Sequence, residues 1–419
     1  MPKLEIFLES LSPLLVGTGL AIGNVQSGRK YIPGSAWRGA VASLILSGLR
    51  QRKHSGRPVA VTEPDPLFRQ AFLGQDAARF GFLYPVSRDA ADLAGTTTLP
   101  IPLTARTCKH AKGFEGHGVY DGLLNRLREA AEGIHPYSRE AGQCPRCRQR
   151  MDRMRGFAAR VYPAESYITT KVGRRSYVRV GLNRYTETAQ DQVLYVLDAV
   201  VPDREKDGRE KPLTFVGAWH GNDQQLQTLR FLLDNHLLPH TKGGYELSIG
   251  TARARGMGQV CLHLGNPLAS SHLEERLRRF QPQAGGGPLD ADHLYAALTL
   301  RSPLLLLDEF GLLVAQVTAA ALEAYCPNVP PELEVLSEYS VVEQESGTGW
   351  AAAWGLPKPV MPALAAGSVL VVRAPGRRRD ELLDFLTSLE AEGLGERRAE
   401  GWGEVLVCDP FHVIHDEGR

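Results

Sequence analysis

Charge of one sign is what this chain lacks most clearly. Its 48 Lys and Arg stand against 47 Asp and Glu, a formal net charge of +1 over 419 residues. That balance excludes a polycation or a basic tail, so any surface for nucleic acid must be local. Long hydrophobic runs are missing as well. The most apolar region, Leu294 to Leu322, is broken by Arg301, Pro303, Asp308 and Glu309, which argues against a membrane span. The opening MPKLEIFLESLSPLL has acidic residues where a secretory signal needs an apolar core, so a cytoplasmic location without membrane contact is expected. Cysteine is sparse: six residues, dispersed except for the tight pair Cys144 and Cys147. In a chain expected to stay in a reducing compartment, that pair reads as metal binding before it reads as a disulfide.

At this length two or three domains are expected. Lys3 to Leu11 partly alternates apolar and polar residues and predicts a strand. A glycine-bearing loop leads to Pro33-Gly34-Ser35, and Ala36 to Leu49 has apolar residues at helical spacing with Ser35 as N-cap. Strands are predicted over Arg79 to Val86, Gln192 to Val201 and Val260 to Leu264, and a helix over Leu226 to Leu238. Strand, helix, strand, strand, helix, strand is the ferredoxin-like order, here with a large insertion at about 105–165. The polar, Gly/Pro-rich stretch 266–292, with Gly285 to Gly287, reads as a linker between domains 1–265 and 293–419. The second half predicts a strand at Leu294 to Leu300, a helix at Asp380 to Ala391 and a strand at Gly403 to Cys408. Both halves end in helix, glycine loop and strand, which suggests a duplicated α+β fold without visible identity between the copies.

Two segments look built for an anion. IGTARARGMGQV, from Ile249 to Val260, sets Gly250, Gly256 and Gly258 around Arg253 and Arg255. Glycine lets a backbone come close to a ligand, and arginine offers a fork of donors that suits phosphate. In the other segment, the helix start after Pro33-Gly34-Ser35 offers free N–H groups, with Arg38 in the first turn. Together they make phosphate-backbone binding the better expectation than two ordinary turns.

Arginines also cluster around the insertion. Arg146, Arg148, Arg150, Arg153 and Arg155 form one set, and Lys171, Arg174, Arg175, Arg179 and Arg184 a second, with Tyr177 and Tyr185 available for stacking. In the insertion, Cys144-Pro145-Arg146-Cys147 follows Cys108. Three thiolates and one histidine would close a structural zinc site, with His117, His110 or His135 as the fourth ligand. The H-x-E pattern of a zinc deaminase is missing, since neither His110 nor His117 has Glu two positions on. A metal staple would explain how a polar insertion stays ordered.

SPLLVGTG, YIPGSAWRGA and IGTARARGMGQV, in that order, resemble the RAMP superfamily of CRISPR-associated proteins. Leu300-Arg301-Ser302-Pro303, Trp354-Gly355 with Lys358, Ala366-Gly367-Ser368-Val369 and Gly401-Trp402-Gly403-Glu404 extend the likeness to the second half. The pattern is similar to two-domain RAMP subunits, in particular of type III-D, that cap the 5′ end of the guide RNA. The resemblance implies two ferredoxin-like (RRM-like) domains and a role in antiviral defence. It also implies CRISPR RNA as partner, together with a large polymerase-like subunit and backbone RAMP subunits. Its CK…HGVxDxL…CxxC block favours Cys108, His117, Cys144 and Cys147 as zinc ligands, and His117 also leaves the longer loop to fold back on the metal. Cleaving relatives carry an aspartate in the loop after the first strand. Here Gly17 to Gly34 holds no Asp or Glu, with Asn24 the nearest equivalent, and an ion needs a carboxylate to hold it. The expectation is therefore a non-catalytic scaffold that holds the 5′ repeat-derived tag through Ser35, Arg38, Gly250, Arg253, Arg255, Gly256, Gly258, Arg174, Arg175 and Arg179. The alternative is metal-independent processing of precursor RNA by a histidine, with His54, His220, His236 and His240 as candidates.

Overall fold

The computed structural model describes residues 3–18, 23–53, 65–74, 77–86, 97–131, 142–161, 166–202, 213–241, 243–268, 272–284, 287–288, 290, 292–314, 316–351 and 355–416. His54, His135 and Trp354 lie outside them. In the first half, strand β1 (Lys3–Ser10) is followed by helix α1 (Gly34–Lys53) and the short strand β2 (Arg79–Phe80). Strand β3 (Thr214–His220), helix α2 (Asp223–His236) and strand β4 (Gln259–Leu268) complete the unit. The sheet runs β4-β1-β3-β2, all pairs antiparallel, with the hairpin strands Tyr245–Ser248 and Leu238–Pro239 added beyond β4. Both helices lie on one face. Trp37, Val41 and Ile45 recur every four residues on α1, and with Leu229, Leu232 and Leu233 of α2 they meet Leu8, Phe215 and Leu262 in one core. Asn222 and Gln225 form a reciprocal capping box that fixes where α2 begins.

Three expectations change here. The third strand of the frame is Thr214–His220, not Gln192 to Val201. The latter belongs to Ala189–Val201, which pairs with Gly173–Leu182 in a separate hairpin sheet. Gln192 to Val201 has the stronger apolar pattern, but β3 is the strand buried on both faces along most of its length. Arg79 to Val86 is two pieces, Arg79–Phe80 and Tyr84–Val86, both paired with β3, and the chain between them turns back to Ile32. Ser35 is not the N-cap: α1 already includes Gly34, and the amide of Ala36 donates to the Pro33 carbonyl at 2.9 Å.

The second half repeats the order. Strand β5 (His293–Leu300), helix α3 (Ala319–Glu323), strand β6 (Glu334–Val335), strand β7 (Val369–Pro375), helix α4 (Arg379–Glu392) and strand β8 (Val405–Val407) form a sheet running β6-β7-β5-β8. Read from the other edge this is the strand order of the first half. Leu382, Phe385, Leu386 and Leu389 bury the inner face of α4 against β7 and β8. Part of the expected linker 266–292 belongs to this core. Helix Leu273–Phe280 buries Leu273, Leu277 and Phe280 in it.

The insertion bridges the halves. Strands Ala105–Cys108, Val119–Asp121 and Met151–Arg153 form a small sheet, and helix Leu123–Ala131 sends Leu123, Leu124 and Leu127 into the core of the second half. Asp121, fully buried, accepts from His412 Nδ1 (3.1 Å), Thr104 Oγ1 (2.5 Å) and the Leu123 amide (2.9 Å). His412 Nε2 lies 2.9 Å from Thr299 Oγ1 of β5. Burial works against the imidazolium, but the Asp121 carboxylate outweighs it and raises the His412 pKa. The site has Asp, His and Thr in line, yet none is exposed by more than 2%, so it fastens the insertion to the second half and offers nothing to a substrate.

Candidate nucleic-acid interface and metal centre

Residues 249–258 form a loop held rigidly from below. Ile249 donates to the Gly258 carbonyl at 2.8 Å, Thr251 to Leu15 at 2.9 Å and Gly258 to Pro13 at 2.9 Å. Between them Arg253–Arg255 makes one 3₁₀ turn, flanked by Ala252 (φ 58°) and Gly256 (φ 76°) in the left-handed region. A Cβ at Gly250 would stand 2.5 Å from the Leu15 carbonyl oxygen and one at Gly258 2.2 Å from that of Ile249, so both positions need glycine. The anchored backbone leaves Arg253 and Arg255 exposed, while Met257 is buried beneath them.

The arginine hairpin lies against this loop. Met257 packs with Leu15, Leu197 and Ala199, and the Arg255 guanidinium sits 5.2 Å from the centre of the Tyr195 ring. Side chains alternate along a strand, and the register pairs Arg175 with Ala199, Tyr177 with Leu197 and Arg179 with Tyr195. Arg175, Tyr177 and Arg179 therefore share the face that meets the loop, where Arg255 lies over Tyr195. Arg174 points to the other face, where it ion-pairs with Asp198 and donates to the Gly28 carbonyl at 2.7 Å. Tyr195 is a member of this surface that the sequence did not single out. Its distance in sequence from both arginine sets hid it.

Ser35 and Arg38 sit elsewhere. The Arg38 guanidinium donates to the Phe72 carbonyl at 2.5 Å and lies over the Phe80 ring, and burial lowers its pKa. The helix start is covered by the second half: a Cβ on Gly34 would be 1.7 Å from the Phe80 carbonyl oxygen and 2.4 Å from that of Glu400. The backbone at Gly34 is therefore packed against protein on its side-chain side.

Of the other arginine set, Arg153 and Arg155 both pair with Glu343 of the second half, the latter at 2.7 Å. Trp402 is in the core, with Arg397 over its ring at 4.5 Å. Of the candidate histidines, His220 is buried between the halves beside Glu404 (3.3 Å), and burial holds its pKa down to about 4. His240 lies beside Glu246 at 3.9 Å. A carboxylate missed by the sequence reading, Glu345 of the second half, lies in the field of Arg29 and Tyr31, and burial raises its pKa.

The Cys/His cluster is assembled. One ligand atom from each of Cys108, His117, Cys144 and Cys147 lies within 4.8 Å of all the others. Cys108 Sγ is 3.4 Å from Cys147 Sγ, and Cys144 Sγ is 3.5 Å from His117 Nδ1. Tetrahedral zinc with bonds of about 2.0–2.3 Å sets its ligands roughly 3.3–3.8 Å apart, so this donor set fits a metal. The Ala111 amide leads in stabilising the Cys108 thiolate, with a pKa lowered to about 6. His110 is left outside the four, its ring centre 6.5 Å from that of His117.

A mixed α+β chain with an anchored glycine-arginine loop and a Cys₃His cluster defines the class. The RAMP superfamily family model matches residues 7–261, and the chain belongs to that superfamily. No curated protein matches it. Among solved structures, a chain of the Type III-B Cmr-beta complex bound to cognate target RNA is similar at 11% identity, covering 91% of this chain and 89% of that one, with a TM-score of 0.39. A chain of the same complex bound to cognate target RNA and AMPPnP, in state 1, is 11% identical over 91% of this chain and 88% of that one, with a TM-score of 0.41. Superpositions this loose do not align side chains, so each site residue stands on its own contacts. No helix among the described residues is long and apolar enough to cross a membrane.

Proposed function

We propose that the protein is a non-catalytic RNA-binding scaffold of a type III CRISPR effector complex, built from two ferredoxin-like domains, and that it holds the 5′ repeat-derived tag of the guide RNA. The observation that carries this reading is the surface formed by the exposed Arg253 and Arg255, on a loop fixed by Leu15 and Pro13, and the exposed Arg175 and Arg179 of the adjoining hairpin face, with the half-buried rings of Tyr177 and Tyr195 among them. Such a surface pairs phosphates with guanidinium groups and offers rings on which single-stranded bases stack. It draws together ten residues of loop and one face of a hairpin, which suits a short single strand better than a duplex groove. Membership of the RAMP superfamily supports the same reading. Zinc at Cys108, His117, Cys144 and Cys147 would act structurally, since all four positions of a tetrahedron are filled by protein. Gly17 to Gly34 contains no acidic residue of its own to hold a catalytic ion; of the carboxylates brought near its described residues, Asp198 is ion-paired with Arg174 and Glu345 lies in the field of Arg29.

The test is to titrate purified full-length chain into a repeat-derived RNA across salt, with and without EDTA. Tight, salt-dependent binding with intact RNA is expected. Metal-independent cutting that disappears on His240→Ala would replace the scaffold reading with processing.

A further inference from the structure

The glycine loop occurs twice, in the same register. Residues 394–405, LGERRAEGWGEV, align with 249–260 at a constant offset, and Gly250, Arg253, Ala254, Gly256, Gly258 and Val260 recur as Gly395, Arg398, Ala399, Gly401, Gly403 and Val405. The backbone repeats bond for bond. Leu394 donates to Gly403, Glu396 to Leu305 and Gly403 to Pro303, at 2.8–2.9 Å, as Ile249, Thr251 and Gly258 do to Gly258, Leu15 and Pro13. Arg398–Glu400 makes the matching 3₁₀ turn between Arg397 (φ 60°) and Gly401 (φ 80°). Even the Ser-Pro-Leu-Leu beneath is shared: Ser12 Oγ accepts from the Gln259 amide and Ser302 Oγ from the Glu404 amide, both at 2.9 Å.

One loop is open and the other is seated. The second presses on the first half, where a Cβ at Gly401 would meet the Phe80 carbonyl oxygen at 2.3 Å and the Glu400 carbonyl closes on Gly34. The two copies differ in sign at one position. Where the first has exposed Arg255, the second has Glu400, 14% exposed and ion-paired with Lys358 and with Arg397 at 2.6 Å. Arg38 lies in the field of the same carboxylate.

We propose that the charge at this position decides what the duplicated loop binds. Arg255 makes the first copy a grip for the anionic RNA backbone. Glu400 makes the second an internal plug, seated on the start of α1, that holds the two halves in one orientation and is withdrawn from RNA. The first half of this statement rests on the RNA reading above, and the second does not. The seat is made for an anionic loop: Lys358, Arg397 and Arg38 surround one carboxylate, and an arginine in its place would gather four cations in a part-buried space. The open copy has the opposite setting, an arginine over the Tyr195 ring with more arginine beyond.

The test uses full-length protein and an unstructured uridine octamer, with two readouts: the slope of log Kd against log salt, and amide exchange of residues 34–38 and 398–403. Arg255→Glu should reduce the slope by about 0.7, the value of one single-strand phosphate contact, and leave exchange unchanged. Glu400→Gln, which keeps the side-chain shape, should raise exchange at both segments by roughly tenfold through local opening and leave the slope unchanged. If Glu400→Gln lowers the slope as Arg255→Glu does, both copies touch RNA and the plug is refuted, with the RNA reading intact. Unchanged exchange in Glu400→Gln also overturns the plug. An unchanged slope in Arg255→Glu removes RNA from the first copy, and exchange in the Glu400 variant still decides the second copy's role alone.

Discussion

Replacing Asp121 by alanine should loosen the insertion from the second half, and the size of the effect follows from what Asp121 satisfies. Its carboxylate is fully buried and accepts from His412, Thr104 and the Leu123 amide. Removing it leaves a buried imidazole without its counter-charge and an orphaned amide at the start of the helix Leu123–Ala131, and breaking a buried pair in this way costs about 3–5 kcal/mol. His412→Ala should cost a similar amount, and the double variant less than the sum, with a coupling of about 1–3 kcal/mol. The sign of the pH dependence follows from the two shifts. His412 is raised, so its share is fully present below its unfolded value of about 6.5 and is lost as pH rises through the folded value. Asp121 is lowered, so its share is present above about 3.9 and lost as pH falls through its folded value. The coupling should therefore be largest near about pH 6, between the two unfolded values, and shrink as pH rises through the folded value of His412. Urea unfolding of the four proteins, followed by tryptophan fluorescence at about pH 6 and at successively higher pH, measures it. A coupling below about 0.3 kcal/mol at pH 6, or one that grows with pH, would refute the reasoning.

Purified protein should carry one zinc per chain, and Cys144→Ser should lose it together with order in residues 105–121 and 142–153; full occupancy in that variant, read by elemental analysis, would remove the metal centre. Changing Arg253 and Arg255 together to alanine should reduce the salt slope of RNA binding by about 1.4, two single-strand contacts, with folding intact by circular dichroism. Arg174→Ala should change that slope little, because Arg174 is on the far face of the hairpin with Asp198. Trp402→Ala should destabilise the chain by about 3–5 kcal/mol, as a buried aromatic does, whether or not RNA is present in the unfolding experiment.

Local chemistry settled a good part of this protein. The strand at Lys3–Ser10, helical spacing in α1 and α2, and glycines at positions of positive φ are written in neighbouring residues, although β1 is buried on both faces from Leu4 to Leu8 and does not follow the partial alternation of its sequence. The candidate Cys/His cluster was partly legible: the spacing of Cys144 and Cys147 marked it, the fourth member was open among His110, His117 and His135 until the family resemblance favoured His117, and the fold brings His117 and not His110 to the three cysteines. Other features depended on contacts between distant segments. β3 was hidden because its apolar pattern is short, and the longer run at Ala189–Val201 competed with it until sheet pairing decided. The sequence grouped the PGS helix start with the loop at Ile249 to Val260 as one phosphate-binding surface, whereas in the fold Gly34 meets Glu400 of the second half. Backbone shape alone does not distinguish the two loops. Which one faces solvent is fixed by how the halves pack, and there a single charge, Arg255 against Glu400, meets opposite surroundings.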